Sequence, residues 1–343
     1  MQNHLSNLKT VLLQRNPYYF SYLSPSWYAE LLSRRWAFRR VHSTPPNIPV
    51  YVVLSSDVEL DIPCQGDPSR LSVGINKGLP ILLDILRKFD AEGTFFVEAM
   101  TGQFFPKLYD LILDQKHEVG SHSYSHNENY AGDKYVWGRF ARPVNIVEME
   151  RLIHVSKRMI EKETGKKICS FRAPFARIDG QVFGILSKAG FLFDSSIPNG
   201  VFGRIFPYYP DPRRFWKQGN SKILEIPMSG RPVPSLQQFL KQEPYRTFRD
   251  LYVENIEEAK RAFDQLVTAA ECVGKPAVIH ITSHPWEFVT LRSEIAGTIT
   301  GRMRIKRLQE FLLFLKQQNV IFVSIERVGR LWKSSKLIFS KKY

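Results

Sequence analysis

Long apolar runs are missing from this sequence. No stretch approaches the roughly 18 consecutive apolar residues that a membrane span requires. Near the start, only Thr10-Val-Leu-Leu precedes the return of polar residues, too short for the apolar part of a secretion signal. Cysteine is equally scarce. Cys64, Cys169 and Cys272 are odd in number, far apart and without a Cys-x-x-Cys pair, which excludes a disulfide framework. They read as free, buried thiols of a reducing compartment. Internal repeats and low-complexity tracts are absent too. So are a zinc finger, an RNP-like aromatic motif and a helix-turn-helix signature, so no nucleic-acid partner is expected. Acidic residues are nearly lacking at the two ends. Residues 1–48 hold six Lys/Arg against Glu30 alone, and residues 327–343 hold six Lys/Arg and no acid.

What is present is an ordinary globular body. The 343 residues, 43% hydrophobic and 13% aromatic, suffice for one large domain or two small ones with a sizeable core. A charged fraction of 24% is usual; a formal charge of +15 is not. Because the ends carry most of that excess, the pattern is a near-neutral body with basic appendages, not a basic groove through the fold. Aromatics such as Tyr18, Trp27 and Trp36 are interleaved with the N-terminal basic residues. The segment "STPPN" at 43–47 then stops any helix with its two prolines. We divide the chain into a basic, aromatic extension over 1–47, a main domain over 48–332 and a basic tail over 333–343.

Strand and helix patterns alternate through the main domain. "VYVVL" at 50–54 is a β-branched run suited to a buried strand. Leu79, Leu82, Leu83, Leu86 and Phe89 recur at helical spacing, and Gly93 ends that segment before the strand "TFFV" at 94–97. Helices are expected near 104–116, 147–163, 180–189, 253–272 and 303–317, and strands near 223–227, 277–281 and 320–325. Such alternation means a mostly parallel sheet covered by helices. An open doubly wound sheet and a closed (β/α) barrel both satisfy it. In either, chemistry gathers where strands end.

Five stretches at such places carry chemically capable residues: "SSDVE" (55–59), "HSYSH" (122–126), "FRAPF" (171–175), "FDSSIP" (193–198) and "HITSHPWEF" (280–288). Each alone has a bland reading. An isolated His-x-x-x-His is usually coincidence, and Asp-x-Glu after a strand is usually a cap or a solvated turn. Together they differ. Two histidines and one carboxylate can hold Zn²⁺ while leaving positions open; a second carboxylate can serve as base and a further imidazole as acid. His117 and His280 read as structural. Trp286 suits either a sugar face or a plug at the barrel end, and Tyr124 and Tyr130 are undecided.

The order Asp-x-Glu, His-x-x-x-His, Arg-x-Pro, Asp-Ser-Ser, His-Pro-Trp-Glu resembles the NodB-type polysaccharide deacetylases, carbohydrate esterase family 4 in the broad sense. "GLPILLDILRKFDAEGTFFV" and "HEVGSHSYSH" are similar to the family's first-to-second-motif stretch, and the resemblance covers roughly 48–332. It implies an α/β fold, a distorted (β/α)₇ barrel, and a metal-dependent N-deacetylase of amino sugars in a polysaccharide, lipopolysaccharide or lipid-linked saccharide, with one divalent ion, zinc before other transition metals. By that resemblance His122 and His126 bind the metal, Asp57 is the base, Arg172 orients it, His284 is the acid, Asp194 tunes His284, and the backbone near Phe175 donates to the oxyanion. Val58 stands where the usual second aspartate would be, so Glu59 becomes the metal carboxylate, with Asp57 as the fallback. Ser56, Ala176 and Ile197-Pro198 depart from the common pattern as well. Two other readings keep the fold: an amidase of cyclic amides or ureides, and a barrel that binds carbohydrate without turnover. The basic ends suit docking to an anionic membrane, at about 1 kcal/mol per basic residue, which places the protein in the cytoplasm at the inner membrane face.

Overall fold

The computed structural model describes residues 46–61, 72–126, 128–129, 142–199, 204–231, 247–293, 297–299 and 301–334. The basic extension up to residue 45 and the tail from 335 lie outside them, as do Cys64 and Tyr130.

The chain begins its sheet with β1 (Val50–Val58), buried along its whole length. It runs four residues past the apolar stretch and carries Ser55, Ser56 and Asp57 inside the strand. A π-helical turn at Gly74–Gly78 leads into α1 (Leu79–Lys88), and β2 (Gly93–Val97) follows. The α1 leucines at 79, 82, 83 and 86 are all buried. Next are α2 (Ala99–Phe104), α3 (Lys107–Leu113) and β3 (Glu118–Ser121), then α4 (Ile146–Thr164) and β4 (Ser170–Phe171), and α5 (Gly180–Lys188) with β5 (Phe193–Asp194). The chain continues through β6 (Leu224–Glu225), α6 (Phe248–Glu254), α7 (Ile256–Cys272) and β7 (Ala277–Ser283). It closes with α8 (Gly301–Gln317), β8 (Ile321–Phe322) and α9 (Ile325–Lys333).

All eight strands of the sheet are parallel, in the order β8-β1-β2-β3-β4-β5-β6, with β7 on the other flank of β1. The sheet curls until its far ends face each other. There Ser229, just after β6, donates its N–H to the His280 carbonyl at 2.8 Å and accepts the His280 N–H on its hydroxyl at 2.9 Å. The result is the distorted (β/α)₇ barrel. Val53, Phe96, Phe193, Leu224, Ile226 and Val278 fill one apolar cluster against α9, and the larger core lies between the sheet and the other helices.

Where the elements differ from expectation, the cause is local. The helix expected over 104–116 corresponds to α3 alone and begins only at Lys107, because the Pro106 ring blocks the preceding turn and separates it from α2. Asn255 sets the start of the helix expected over 253–272: it ends α6 in an extended conformation and accepts the Glu257 and Glu258 N–H groups on its side chain, a cap that starts α7. The strand expected over 320–325 stops at Phe322, since Ser324 caps α9 by accepting the Arg327 N–H. The helix α9 is not among the expected elements, although Ile325, Val328, Leu331 and Trp332 recur at helical spacing. Cys169 is buried as expected, but Cys272 is exposed at the end of α7, where no apolar layer faces it.

The α9 start is tied to the sheet by a carboxyl. Glu118 accepts from the Glu326 N–H at 2.9 Å and from the Thr94 hydroxyl at 2.8 Å, and also from the Ser170 hydroxyl. Burial pushes the Glu118 carboxyl up to about 7 despite these donors. In the unfolded chain it ionises near its ordinary value of 4.5. Between those values the folded state keeps a proton that the unfolded state has lost, so this group's contribution to stability is present at low pH and lost as pH rises to about 7. The melting temperature of Glu118→Gln should therefore fall less than the wild type's between pH 5 and pH 8, by roughly a few degrees. Parallel decline of both proteins would exclude a raised carboxyl there.

Candidate active site

The site lies at the carboxyl ends of β1, β3, β4 and β7. Its centre is a group of three side chains. His122 follows β3 directly, His126 sits four residues on, and Glu59 leaves the end of β1. One ligand atom from each lies within 4.8 Å of the others. Glu59 Oε2 is 2.9 Å from His126 Nε2 and 3.4 Å from His122 Nε2. Glu59 and His122 are almost wholly buried, yet both Glu59 oxygens and His122 Nε2 have no hydrogen-bond partner among the described residues.

Leaving a buried acceptor unmet costs roughly 1–3 kcal/mol, so three converging on one point call for a ligand that accepts their lone pairs. The ring orientation fits a cation. His122 Nδ1 lies 3.0 Å from the Arg172 carbonyl oxygen, which can only accept; Nδ1 therefore carries the proton and Nε2 offers a lone pair. Glu98, itself buried, accepts the His126 N–H at 2.5 Å and so fixes the second histidine's backbone. Burial opposes charge on Glu59, but the neighbouring His126 and His122 imidazoles outweigh it and hold the carboxyl well below the usual range. The three residues form a possible metal site. Its carboxylate comes from position 59; Asp57, the fallback, is engaged elsewhere.

Asp57 faces Arg172, whose Nη1 donates to Asp57 Oδ1 at 2.5 Å. Burial would raise this carboxyl, but Arg172 first, then His122 and His284, bring it below its ordinary value. Arg172 is completely buried at the end of β4, with its guanidinium 4.3 Å from the Phe96 ring centre. The other carboxylate oxygen, Oδ2, lies 3.8 Å from His284 Nε2.

His284 enters from the end of β7 and begins the 3₁₀ turn Pro285–Phe288. Its ring stacks on Trp286 at 4.9 Å, so Trp286 is a buried backing for the histidine. Gly74 and Gly78 make room for this turn: a Cβ on Gly78 would stand 1.9 Å from the Pro285 oxygen, and one on Gly74 2.6 Å from the Trp286 nitrogen.

The carboxyl partner of His284 is Glu287, not Asp194. Glu287 Oε1 lies 3.3 Å from His284 Nδ1, and Oε2 accepts the His284 N–H at 3.3 Å. Arg249 and Arg304 both grip the same buried carboxylate, Arg304 at 3.0 Å. Burial works against its charge, but Arg249 and Arg304 keep it far below the usual carboxylate range. Asp194 is engaged on the far side of Arg172. It accepts the Ser196 hydroxyl at 2.8 Å and pairs with the Glu225 carboxyl, and burial pushes both acids up. Ser196 in turn accepts the Ala173 N–H at 2.9 Å, so Asp194 braces the turn that carries Arg172. The correction has a geometric cause: three residues along a 3₁₀ turn return a side chain to the ring of its first residue, whereas Asp194 belongs to a different strand end.

At that turn Phe175 and Ala176 both take left-handed backbone angles, φ 58° and 53°, unusual for residues with a Cβ. The twist points the Phe175 N–H at His126 Nε2, 3.4 Å away, and so toward the three-residue centre. His117, by contrast, accepts the Gly93 N–H on Nδ1 and is lowered to about 4 by burial; it belongs to the packing between β2 and β3.

Glu287 stands within the stretch 280–288, but its motif alone assigns it no role. Replacing it by Gln should lower kcat roughly 10–100-fold with zinc content unchanged, because the His284 ring loses the carboxylate that orients its Nδ1. Steady-state rates beside metal analysis would show it, and an undiminished kcat would free His284 from Glu287.

The polysaccharide deacetylase family model matches residues 72–193. This stretch belongs to the polysaccharide deacetylase family. It contains His122, His126 and Arg172, while Asp57, Glu59 and His284 lie on either side of it. A peptidoglycan deacetylase of Helicobacter pylori is 27% identical over 148 residues, 42% of this chain and 45% of that protein. The chain thus spans less than half the length of the curated relatives it first matches. Among solved structures, a Mycobacterium smegmatis protein assigned to the polysaccharide deacetylases shares the fold with a TM-score of 0.58 at 20% identity, over 86% of this chain and 94% of that one. PuuE allantoinase does so with a TM-score of 0.59 at 19% identity, over 87% and 94%. These two likenesses establish the barrel fold.

Proposed function

We propose that this protein is a metal-dependent hydrolase that removes the N-acetyl group from an amino sugar of a glycan, giving acetate and a free amine. The observation that carries the reading is the convergence of unmet lone pairs from Glu59 and His122, beside His126, with an ionised Asp57 on one side and a carboxylate-backed His284 on the other. The Helicobacter pylori relative's name, peptidoglycan deacetylase, supports a glycan polymer as the substrate class.

An N-acetyl amide resists water because its carbonyl is resonance-stabilised and its nitrogen leaves poorly. A divalent ion held by Glu59, His122 and His126 supplies Lewis-acid polarisation of the carbonyl and lowers the pKa of water; two imidazoles and one carboxylate suit zinc. The remaining work falls to the protein. Asp57, kept ionised by Arg172, takes the proton from the attacking water. The Phe175 N–H stabilises the oxygen that gains negative charge. His284, held on Nδ1 by Glu287, presents Nε2 and gives its proton to the departing nitrogen as the C–N bond breaks. Placement at the inner face of an anionic membrane stays part of the proposal through the basic ends, which lie outside the described residues.

The test is acetate release from a panel of N-acetylated glycans. We expect release that a chelator stops and zinc restores. Acetate release that survives the chelator would end the metal-dependent reading. Ring opening of a cyclic ureide without acetate release from any glycan would transfer the site to the amidase alternative.

A further inference from the structure

His280 lies in the middle of β7 and is wholly buried. A core histidine in such a place needs two hydrogen bonds to offset its burial, and any two would serve. The three made here are particular. Its Nε2 lies 2.8 Å from the Ser55 hydroxyl and 3.1 Å from Arg172 Nη2; its Nδ1 lies 3.1 Å from the Ser195 hydroxyl.

Only one arrangement of protons satisfies this set. A guanidinium nitrogen can only donate, so Nε2 must accept and carries no proton. Nδ1 then holds the hydrogen and donates it to Ser195 Oγ, whose own hydrogen goes to the Ile226 carbonyl at 2.8 Å. Ser195 also receives a second Arg172 N–H at 3.2 Å, and its carbonyl takes Arg172 Nε–H at 2.7 Å. Burial first, and the charge of Arg172 second, hold the imidazole well below its ordinary value, which keeps it neutral as the arrangement demands. Every Arg172 nitrogen is thereby anchored, and Nη1 is left aimed at Asp57.

We propose that His280 is a positioning residue of the catalytic machinery: together with Ser195 and Ser55 it sets the plane of the Arg172 guanidinium, and through it the orientation of Asp57. It touches neither the three-residue centre nor the space beside it. Without His280, Nη2 keeps only the longer bond to Ser195, whose hydroxyl has itself lost its Nδ1 partner; the planar fork can then rotate about its last bonds, and Asp57 would follow. Displacements of about 1 Å at a base cost on the order of 10²-fold in rate.

This inference rests on the deacetylase reading, and the experiment separates the two. Acetate release, zinc content and melting temperature are measured for the full chain as wild type, His280→Leu, His280→Gln, Arg172→Gln and the pair His280→Leu with Arg172→Gln. His280→Leu should lower kcat roughly 10–100-fold with KM within about twofold and zinc content unchanged. His280→Gln, which restores an acceptor near the Nε2 position, should recover to within about threefold of the wild type. In the Arg172→Gln background His280→Leu should cost almost nothing, because its effect runs through the arginine. If His280→Leu does not fold, His280→Asn, polar but too short to reach Arg172, carries the same cycle. Full activity of His280→Leu, an equal loss in both backgrounds, or loss of zinc would overturn the inference while the deacetylase reading stands. A wild type inactive on every glycan overturns both.

Discussion

Glu59→Gln should abolish zinc binding and acetate release together. The substitution keeps the shape of the side chain and removes its charge and one of its two acceptor oxygens. In the native protein those oxygens are buried beside His122 Nε2 and His126 Nε2 with no hydrogen-bond partner among the described residues. A carboxylate is also the only negative charge among the three groups, so its loss weakens attraction for a dication as well as coordination. The affinity should fall on the order of 10²–10³-fold. Two measurements suffice. Wild-type protein should melt higher when zinc is added, because a ligand that binds only the folded state stabilises it, and Glu59→Gln should show almost no such shift. Acetate release should fall to the level of chelated wild type. A variant that keeps its zinc-induced shift would move the metal carboxylate to Asp57, and the division of labour argued above would fail.

Asp57→Asn should have the complementary signature, with activity lost and metal kept. A side-chain amide cannot accept a proton from water at neutral pH, so the rate should fall by roughly 10²–10⁴-fold, the usual worth of a positioned base. Zinc content should match the wild type, since Asp57 Oδ1 is held by Arg172 and not by the histidines. There is a stability cost as well. Arg172 is fully buried, and breaking a buried ion pair by neutralising one member costs roughly 3–5 kcal/mol. The amide oxygen of the variant can still accept from Nη1, so the loss should lie at or below the lower end. Thermal melts beside metal analysis separate the two effects. Joint loss of zinc and activity would make Asp57 a ligand and leave the base unassigned.

The two variants also mark how far the linear chain could be read. Periodicity locates β1, α1 and β2 closely, because their apolar residues face the core with nothing local competing. It fails where a single residue overrules the pattern: Pro106 and Asn255 each delay the start of one expected helix and close another before it, and Ser324 turns the end of a strand into the start of α9. Asp57, Glu59, His122, His126, Arg172 and His284 stand out from their motifs, and the fold does bring them to one place. Asp194 stands out too, but its carboxyl is spent on Ser196 and Glu225.

Residue types, their order and their positions after strands are properties of the chain; they were enough to single out the side chains its chemistry would need, and the barrel followed from the family resemblance that those motifs carry. Which carboxylate backs His284, and what holds Arg172 in plane, were decided only by folding. Glu287 reaches the imidazole because a 3₁₀ turn curls back on itself, and it stays charged because Arg249 and Arg304 arrive from 38 residues before it and from the following helix. His280 meets Arg172 across 108 residues of chain. Hydrogen bonds and ion pairs act over a few ångströms of space, and separation along the sequence carries almost no information about them until the sheet has curled.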